Sequence, residues 1–414
     1  MKRALRKTAE ALAIALISLG ALEIGLRAVF AFKAGPLVLL YGTQYYRSDV
    51  SVAKEIKRTF RGKDWNRFGE NWHEIVRFRD FTEKFSDATT GAPAYYKYAP
   101  GARLRIQLKG SADPKNDHKP YATRMNNHGF RGADFSIEKK AGVFRILTLG
   151  ASSTFGYSNK DNETYPRYLE KRLNEALRKS RCAGVEEFEV YNFGIPHLRS
   201  FEIHSLLLSE GLQFSPDLIT FYEGANDTRE VGHSWAAESL KSSGEVLLTA
   251  KFVAYLFDHR MATFSESEAE ALIPRMQRTF SENVAKVASA AESRRIQFLP
   301  VLQPMTNELK NRVAEPAALL SYQQEADLVR QKLGEGGRVL LPELQMLLHA
   351  EINRNFRQWL LKSQSPYVDF IRIMEEKGAR GEFTSWIHLS ARGNQLLAEA
   401  IKEQVLQLAC RAGS

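Results

Sequence analysis

The chain has 414 residues, 44% of them hydrophobic and 26% charged, a composition that excludes a disordered or fibrous protein and supplies core for two or three domains. Its 58 basic and 48 acidic residues leave a formal net charge of +10, which favours anionic surfaces. No dense basic run coincides with a nucleic-acid motif, so no nucleic-acid partner is expected.

Four of the basic residues, Lys2, Arg3, Arg6 and Lys7, precede a segment from Ala11 to Phe32 long enough to cross a bilayer as a helix. Glu23 and Arg27 interrupt it, but four residues apart on a helix they can neutralise each other. A buried amphipathic helix would need a polar stripe, and a cleaved signal peptide a shorter apolar core followed by an A-x-A site. The segment therefore reads as a retained transmembrane anchor, with residue 1 in the cytoplasm and everything after Lys33 outside it. From 35 to about 92 the chain is charged and aromatic, with Trp65, Phe68, Trp72 and Ile75 at helical spacing. These form either a membrane-proximal amphipathic helix or, the preferred reading, aromatics packed on the main domain with charges in solvent. Residues 95 to 134 read as an irregular lead-in, weakly strand-like at Leu104–Leu108 and closed by Asn126-Asn127-His128-Gly129-Phe130-Arg131-Gly132, where Gly129 suits a turn. The organisation expected is a tail and anchor over 1–34, a membrane-proximal lead-in over 35–140, and a main domain over 141–414.

In that domain short apolar strands alternate with longer amphipathic patterns. Strands are expected at 144–149, 187–192, 217–222, 296–302 and 366–370, and helices at about 164–180, 200–211, 266–293, 316–332, 341–362 and 390–409. Such alternation specifies a parallel sheet covered on both faces, with ligands outside the carboxyl ends of the strands. The interval 228–265 does not fit and reads as a helical insertion over that edge.

The strand ends carry the chemistry. Gly150-Ala151-Ser152-Ser153-Thr154-Phe155-Gly156 follows the first strand as a tight turn into a helix, lifting a serine hydroxyl beside free N–H groups. Asn192-Phe193-Gly194 ends the second strand, Gly224-Ala225-Asn226-Asp227 follows the third, and Ser385-Trp386-Ile387-His388 precedes the last helix. Alone, each is more simply explained as a cap or a turn. Together they provide what acyl transfer from an ester needs: a nucleophile, a base and donors for an oxyanion. Nine histidines are scattered without H-x-x-x-H spacing, Cys-x-x-Cys is missing, and there is no phosphate loop with a following lysine, so neither a metal nor a cofactor is implied.

In these blocks, over about 90–410, the chain resembles the SGNH hydrolases, also called GDSL-like lipases and acylhydrolases, and its lead-in is similar to that of membrane-anchored bacterial members. The resemblance implies a flavodoxin-like three-layer α/β/α fold with a five-stranded parallel sheet in the order 2-1-3-4-5. By position it makes Ser152 the nucleophile, with Ser153 the alternative, and His388 the base. The oxyanion hole would combine the Ser152 N–H, the Gly194 N–H and the Asn226 side-chain amide. The implied activity is a serine esterase or O-acyltransferase working on acylated envelope or exported glycans through an acyl-serine, from the periplasmic side of a bacterial inner membrane. Lipid acyl hydrolysis and inert glycan binding are the alternatives. The family has Asp three residues before its histidine, whereas this chain has Ser385. In a serine protease, replacing that aspartate by an amide costs about ten-thousand-fold in rate. A Ser152–His388 dyad steered by Ser385 is therefore weighed against an acid recruited from elsewhere, such as Glu382, and against loss of turnover.

Cys182 and Cys410 are the only cysteines. In the order 2-1-3-4-5 the helix after the first strand and the final helix lie side by side and run the same way, so their carboxyl ends, and both thiols, should meet opposite the active edge. A disulfide there would suit an exported domain.

Overall fold

The computed structural model describes residues 2–34, 75–77, 96–98, 100–179, 182–230, 263–307 and 319–411. Trp65, Phe68 and Trp72 lie outside these, as does most of the insertion expected at 228–265. The chain divides into two compact units, one of residues 1–75 and 232–263, the other of 76–231 and 264–414.

In the first unit, helix α1 spans Lys2–Ala34. Glu23 and Arg27 form the i,i+4 ion pair anticipated from their spacing, at 2.7 Å, while Ile14, Leu16, Ile17, Leu19, Leu22 and Ile24 are exposed. Among the described residues no helix is long and apolar enough to cross a membrane.

The second unit carries, ahead of its central sheet, a hairpin of β1 (Arg103–Gln107) and β2 (Pro120–Arg124), paired antiparallel. Leu104 and Ile106 of β1 are buried, in keeping with the weak strand signal there. β2 escapes notice in the sequence because it starts on a proline and buries only Thr123.

The central sheet consists of β3 (Val143–Gly150), β4 (Glu187–Gly194), β5 (Leu218–Tyr222) and β6 (Gln297–Pro300), all parallel, in the order β4-β3-β5-β6. Alternation along each strand feeds two cores: Leu147, Leu149, Ile219 and Phe221 face one side, and Ile146, Leu218 and Tyr222 the other. α4 (Ser200–Ser209), α5 (Glu266–Glu292), α6 (Tyr322–Gly334) and α7 (Leu341–Lys362) supply the first core, with Ile203, Val284, Val329 and Phe356 among their contributions. α3 (Tyr165–Lys179) and α9 (Ala391–Arg411) close the second through Leu169, Leu173, Leu397, Ile401 and Val405. The result is a three-layer α/β/α arrangement.

One expectation fails. The sheet has four strands, not five, because the segment at 366–370 contributes only a parallel bridge between Val301 and Val368. Val368 donates to Pro300 O at 3.0 Å and accepts from Leu302 N–H at 2.9 Å. Asp369 then turns the chain out of the sheet by capping α8 (Phe370–Glu376), its side chain accepting the Arg372 N–H at 3.1 Å. The helix cap at Asp369 competes with strand extension and wins.

Cys182 and Cys410 are joined as a disulfide with Cα atoms 5.0 Å apart, tying the carboxyl ends of α3 and α9 across 228 residues. A loop of that length could stabilise the fold by about 5 kcal/mol in the chain-entropy model. Arg172 and Glu399 pair at 2.9 Å between the same helices.

Candidate active site

At Gly150 the chain leaves β3, passes Ala151, and makes a single helical turn, α2 (Ser152–Phe155), ended by Gly156 at φ +81°. The first bond of that turn is Phe155 N–H to Ala151 O at 2.8 Å, so the N–H groups ahead of it have no intrahelical acceptor. Two glycines admit the turn. A Cβ on Gly150 would lie 2.1 Å from Thr154 Oγ1 and 2.6 Å from Tyr222 O, and one on Gly194 would lie 2.1 Å from Phe155 N. The end of β4 is thus in backbone contact with the serine turn, and the end of β3 is pressed between its Thr154 side chain and the end of β5.

Ser152 Oγ is 2.8 Å from His388 Nε2, the pairing expected of a nucleophile and its base. On the other side of the ring, Ser385 Oγ lies 2.6 Å from Nδ1 and also accepts the His388 backbone N–H at 3.1 Å. When Nδ1 carries the proton and donates it to Ser385, Nε2 is left bare to accept from Ser152, the tautomer that a general base requires. Ser385 therefore orients the ring as an aspartate would, but supplies no charge. Glu382 does not take that place: it accepts from the Ser390 hydroxyl and lies 3.7 Å from Arg392 Nε. Burial, reinforced by Arg229, His197 and Lys109, pushes the His388 pKa down to about 3.

Ser153 Oγ turns elsewhere, donating to Ile387 O at 3.1 Å and accepting from Gln303 Nε2 at 3.2 Å. It binds the serine turn to the histidine loop.

Of the three oxyanion donors expected, two are available. The Ser152 N–H stands at the open start of α2. Asn226 Nδ2 gives one hydrogen to Leu198 O at 3.0 Å, and its second has no acceptor among the described residues. The Gly194 N–H, however, is donated to Asn192 Oδ1 at 2.9 Å, because the Asn192 side chain folds back along its own strand. Gly194 can serve an oxyanion only if Asn192 releases it. The Asn226 loop is held from inside: Asp227 accepts from Ser200 N–H at 3.1 Å and Ser200 Oγ at 2.5 Å, and Glu223 Oε1 accepts from Asn226 N–H at 2.8 Å. Burial raises the Glu223 carboxyl to about 8, and its Oε2 has no hydrogen-bond partner among the described residues.

Two positioning residues were not singled out in the sequence. Arg131, within the Asn126–Gly132 turn, is buried and donates to Phe155 O at 3.1 Å, Gly156 O at 2.7 Å and Asn159 O at 2.6 Å, while pairing with Asp161 at 2.7 Å. It gathers the carbonyls behind the nucleophile. Gln303, just past β6, bridges Ser153 and the Ala225 N–H, the latter at 3.0 Å, linking the first and third blocks. A polar residue at the carboxyl end of a strand was the available signal for Gln303; nothing in the sequence separates Arg131 from a solvated arginine.

The family model described as GDSL-like lipase/acylhydrolase matches residues 146–401. Among solved structures, similarity extends to a lipase/acylhydrolase from Enterococcus faecalis (14% identity, 64% of this chain and 96% of that one, TM-score 0.34). It also extends to a member of the G-D-S-L lipolytic family from Veillonella parvula (12%, 63% and 97%, TM-score 0.36). A third is a catalytic mutant of an acetylxylan esterase from Geobacillus stearothermophilus (12%, 65% and 96%, TM-score 0.37). No curated protein matches the chain.

Proposed function

Given that this chain belongs to the GDSL-like lipase/acylhydrolase family, we propose that it is a serine ester hydrolase or acyltransferase in which Ser152 and His388 act as a dyad. The observation that carries this reading is the 2.8 Å contact between Ser152 Oγ and His388 Nε2 at the carboxyl edge of the sheet. His388 takes the Ser152 proton as Oγ attacks the ester carbonyl, and the oxyanion faces the Ser152 N–H and the free hydrogen of Asn226 Nδ2. Collapse expels the alcohol, which takes the proton from His388 and leaves an acyl-serine. Water completes hydrolysis; a sugar hydroxyl in its place completes transfer.

The substrate class proposed is O-acylated glycan of the cell envelope or of exported material. The Cys182–Cys410 disulfide supports a domain outside the cytoplasm, since such bonds persist in oxidising compartments. A membrane anchor over 11–32 would hold the domain at the outer face of the inner membrane, supported by the four N-terminal positive charges and the exposed apolar side chains of α1. The uncharged Ser385 favours a second reading, an inert glycan-binding protein. A fluorophosphonate probe separates the two: labelling lost in Ser152→Ala and kept in Ser153→Ala supports the dyad, and an unlabelled wild-type chain contradicts it.

A further inference from the structure

Three basic side chains border the Ser152–His388 pair, and none has a carboxylate within ion-pair distance among the described residues. Arg229, two residues beyond the Asn226-Asp227 block, is exposed and carries Cζ 5.3 Å over the ring of Trp386, inside the Ser385–His388 loop. Its Nη1 is 3.1 Å from His197 Nδ1. His197 follows Pro196 in the loop after β4 and is held at φ +71°, a conformation that non-glycine residues adopt at a cost. Lys109 is the third, exposed two residues beyond β1. The neighbouring Gly110 packs so tightly on Ser390 and Thr384 that a Cβ there would lie 2.8 Å from each. Three elements thus bring positive charge or N–H donors to one mouth, and the charges of Arg229 and Lys109 act on His388 through space.

The pairing of Arg229 with His197 has a chemical consequence. Arginine has no acceptor, so His197 Nδ1 must accept from Nη1, which leaves the imidazole neutral with its N–H on Nε2. What the pair then offers outward is donors only: the rest of the guanidinium fork and one imidazole N–H. The acid that acts on Arg229 through space is Glu223, which is buried, forms no ion pair with it and is largely uncharged near neutral pH. Surface arginines usually find a carboxylate partner or point into solvent. This one stacks on the loop that carries the base, beside a strained histidine, and pairs with no carboxylate among the described residues.

Resting on the proposed ester chemistry, we infer that Arg229 and His197, with Lys109 nearby, form a subsite for an anionic group of the substrate, so that the preferred ester is borne by an acidic glycan. A planar guanidinium fork receives a carboxylate or a phosphate in the same way, as paired charge-assisted hydrogen bonds. The location adds a second effect. An anion seated there enters the field that disfavours imidazolium at His388 and offsets part of it, supplying from the substrate some of the negative charge that Ser385 lacks.

The test compares acetyl esters of three oligomers on the full chain: oligogalacturonate (carboxylate), glycerol phosphate oligomer (phosphate) and xylo-oligosaccharide (neutral). The expected result is a kcat/KM ratio of anionic to neutral ester that falls about tenfold or more in Arg229→Gln, with Arg229→Lys intermediate because a point charge replaces the fork. Loss on the carboxylated ester alone identifies uronate recognition, and loss on the phosphorylated ester alone identifies phosphate. A ratio unchanged by Arg229→Gln, or a wild-type preference for the neutral ester, overturns the subsite. Titration of unacetylated oligogalacturonate and glycerol phosphate oligomer into Ser152→Ala keeps the test independent of turnover. Binding of either that weakens about tenfold when Arg229→Gln is added upholds the subsite even if the ester chemistry fails, and no binding of either overturns it.

Discussion

The serine turn and the histidine loop face each other across 2.8 Å, yet they are built on opposite terms. Around Ser152 everything is over-determined: Gly150 and Gly194 packed against Thr154 and Phe155, Arg131 gathering three carbonyls, and Ser153 and Gln303 tying the turn to its neighbours. Around His388 the geometry is kept by a serine hydroxyl at 2.6 Å, but the electrostatics run against a charged imidazole. Position and charge, which one aspartate usually provides together, are separate here. A site can thus keep its nucleophile–base geometry while giving up the group that stabilises its charged intermediate.

If both halves are needed, His388→Gln should have the largest effect, lowering kcat on any cleaved ester about ten-thousand-fold. A loss under tenfold would mean that the histidine is not the base. The over-determined half can be broken at Arg131→Met, which takes the arginine's bonds from three carbonyls and leaves Asp161 only the Tyr121 and Thr123 hydroxyls. Chemical denaturation should show a loss of about 3 kcal/mol, and an unchanged midpoint would show that solvent replaces the arginine without cost. Smaller again, Asn226→Ala should reduce kcat about a hundredfold with little change in KM, as removal of one oxyanion donor does.

The smallest effect expected is a pH dependence at Glu223. Its carboxyl is raised from 4.5 to about 8, so the folded state holds a proton that the unfolded chain has released. Stability should therefore fall as pH rises from about 4.5 to 8, and Glu223→Gln, which does not titrate, should remove that slope. The difference should be on the order of 2 kcal/mol, because a buried carboxylate draws in water as it ionises. Parallel curves for the two proteins would place the ionised group in a solvated site.

The contrast between the two halves also marks how far the sequence could be read. Strand and helix limits emerge nearly as the periodicity implies, α7 at 341–362 among them, because long amphipathic patterns have one way to bury their apolar face. Val368 misled because a short apolar run reads alike as a strand or as the entry to a helix, and only the cap at Asp369 decides. Ser152, His388, Ser385 and Asn226 were legible only together: each alone reads as a cap or a turn, but their blocks fall on one edge of the sheet in the order of the family they resemble. Two features were not. The capture of the Gly194 N–H by Asn192 depends on one side-chain rotamer, and the role of Arg131 depends on contacts with a loop some 30 residues away. Neither leaves a periodic trace. The disulfide was within reach because it needs only the helix order, a property of the topology.

The dependence of kcat/KM on pH, compared between the wild-type chain and Ser385→Asp on one neutral acetyl ester, tests the separation of position from charge most directly. With His388 held near 3, its base form persists far into acid, so the acid limb of the wild-type profile should lie well below the 6.5 of a free imidazole. Restoring the carboxylate should move that limb upward and raise the plateau about tenfold or more, since a negative charge beside Nδ1 stabilises the imidazolium of the transition state. A wild-type limb at or above 6.5, together with an unchanged or lower plateau in Ser385→Asp, would contradict the account, for it would mean that a carboxylate already serves His388.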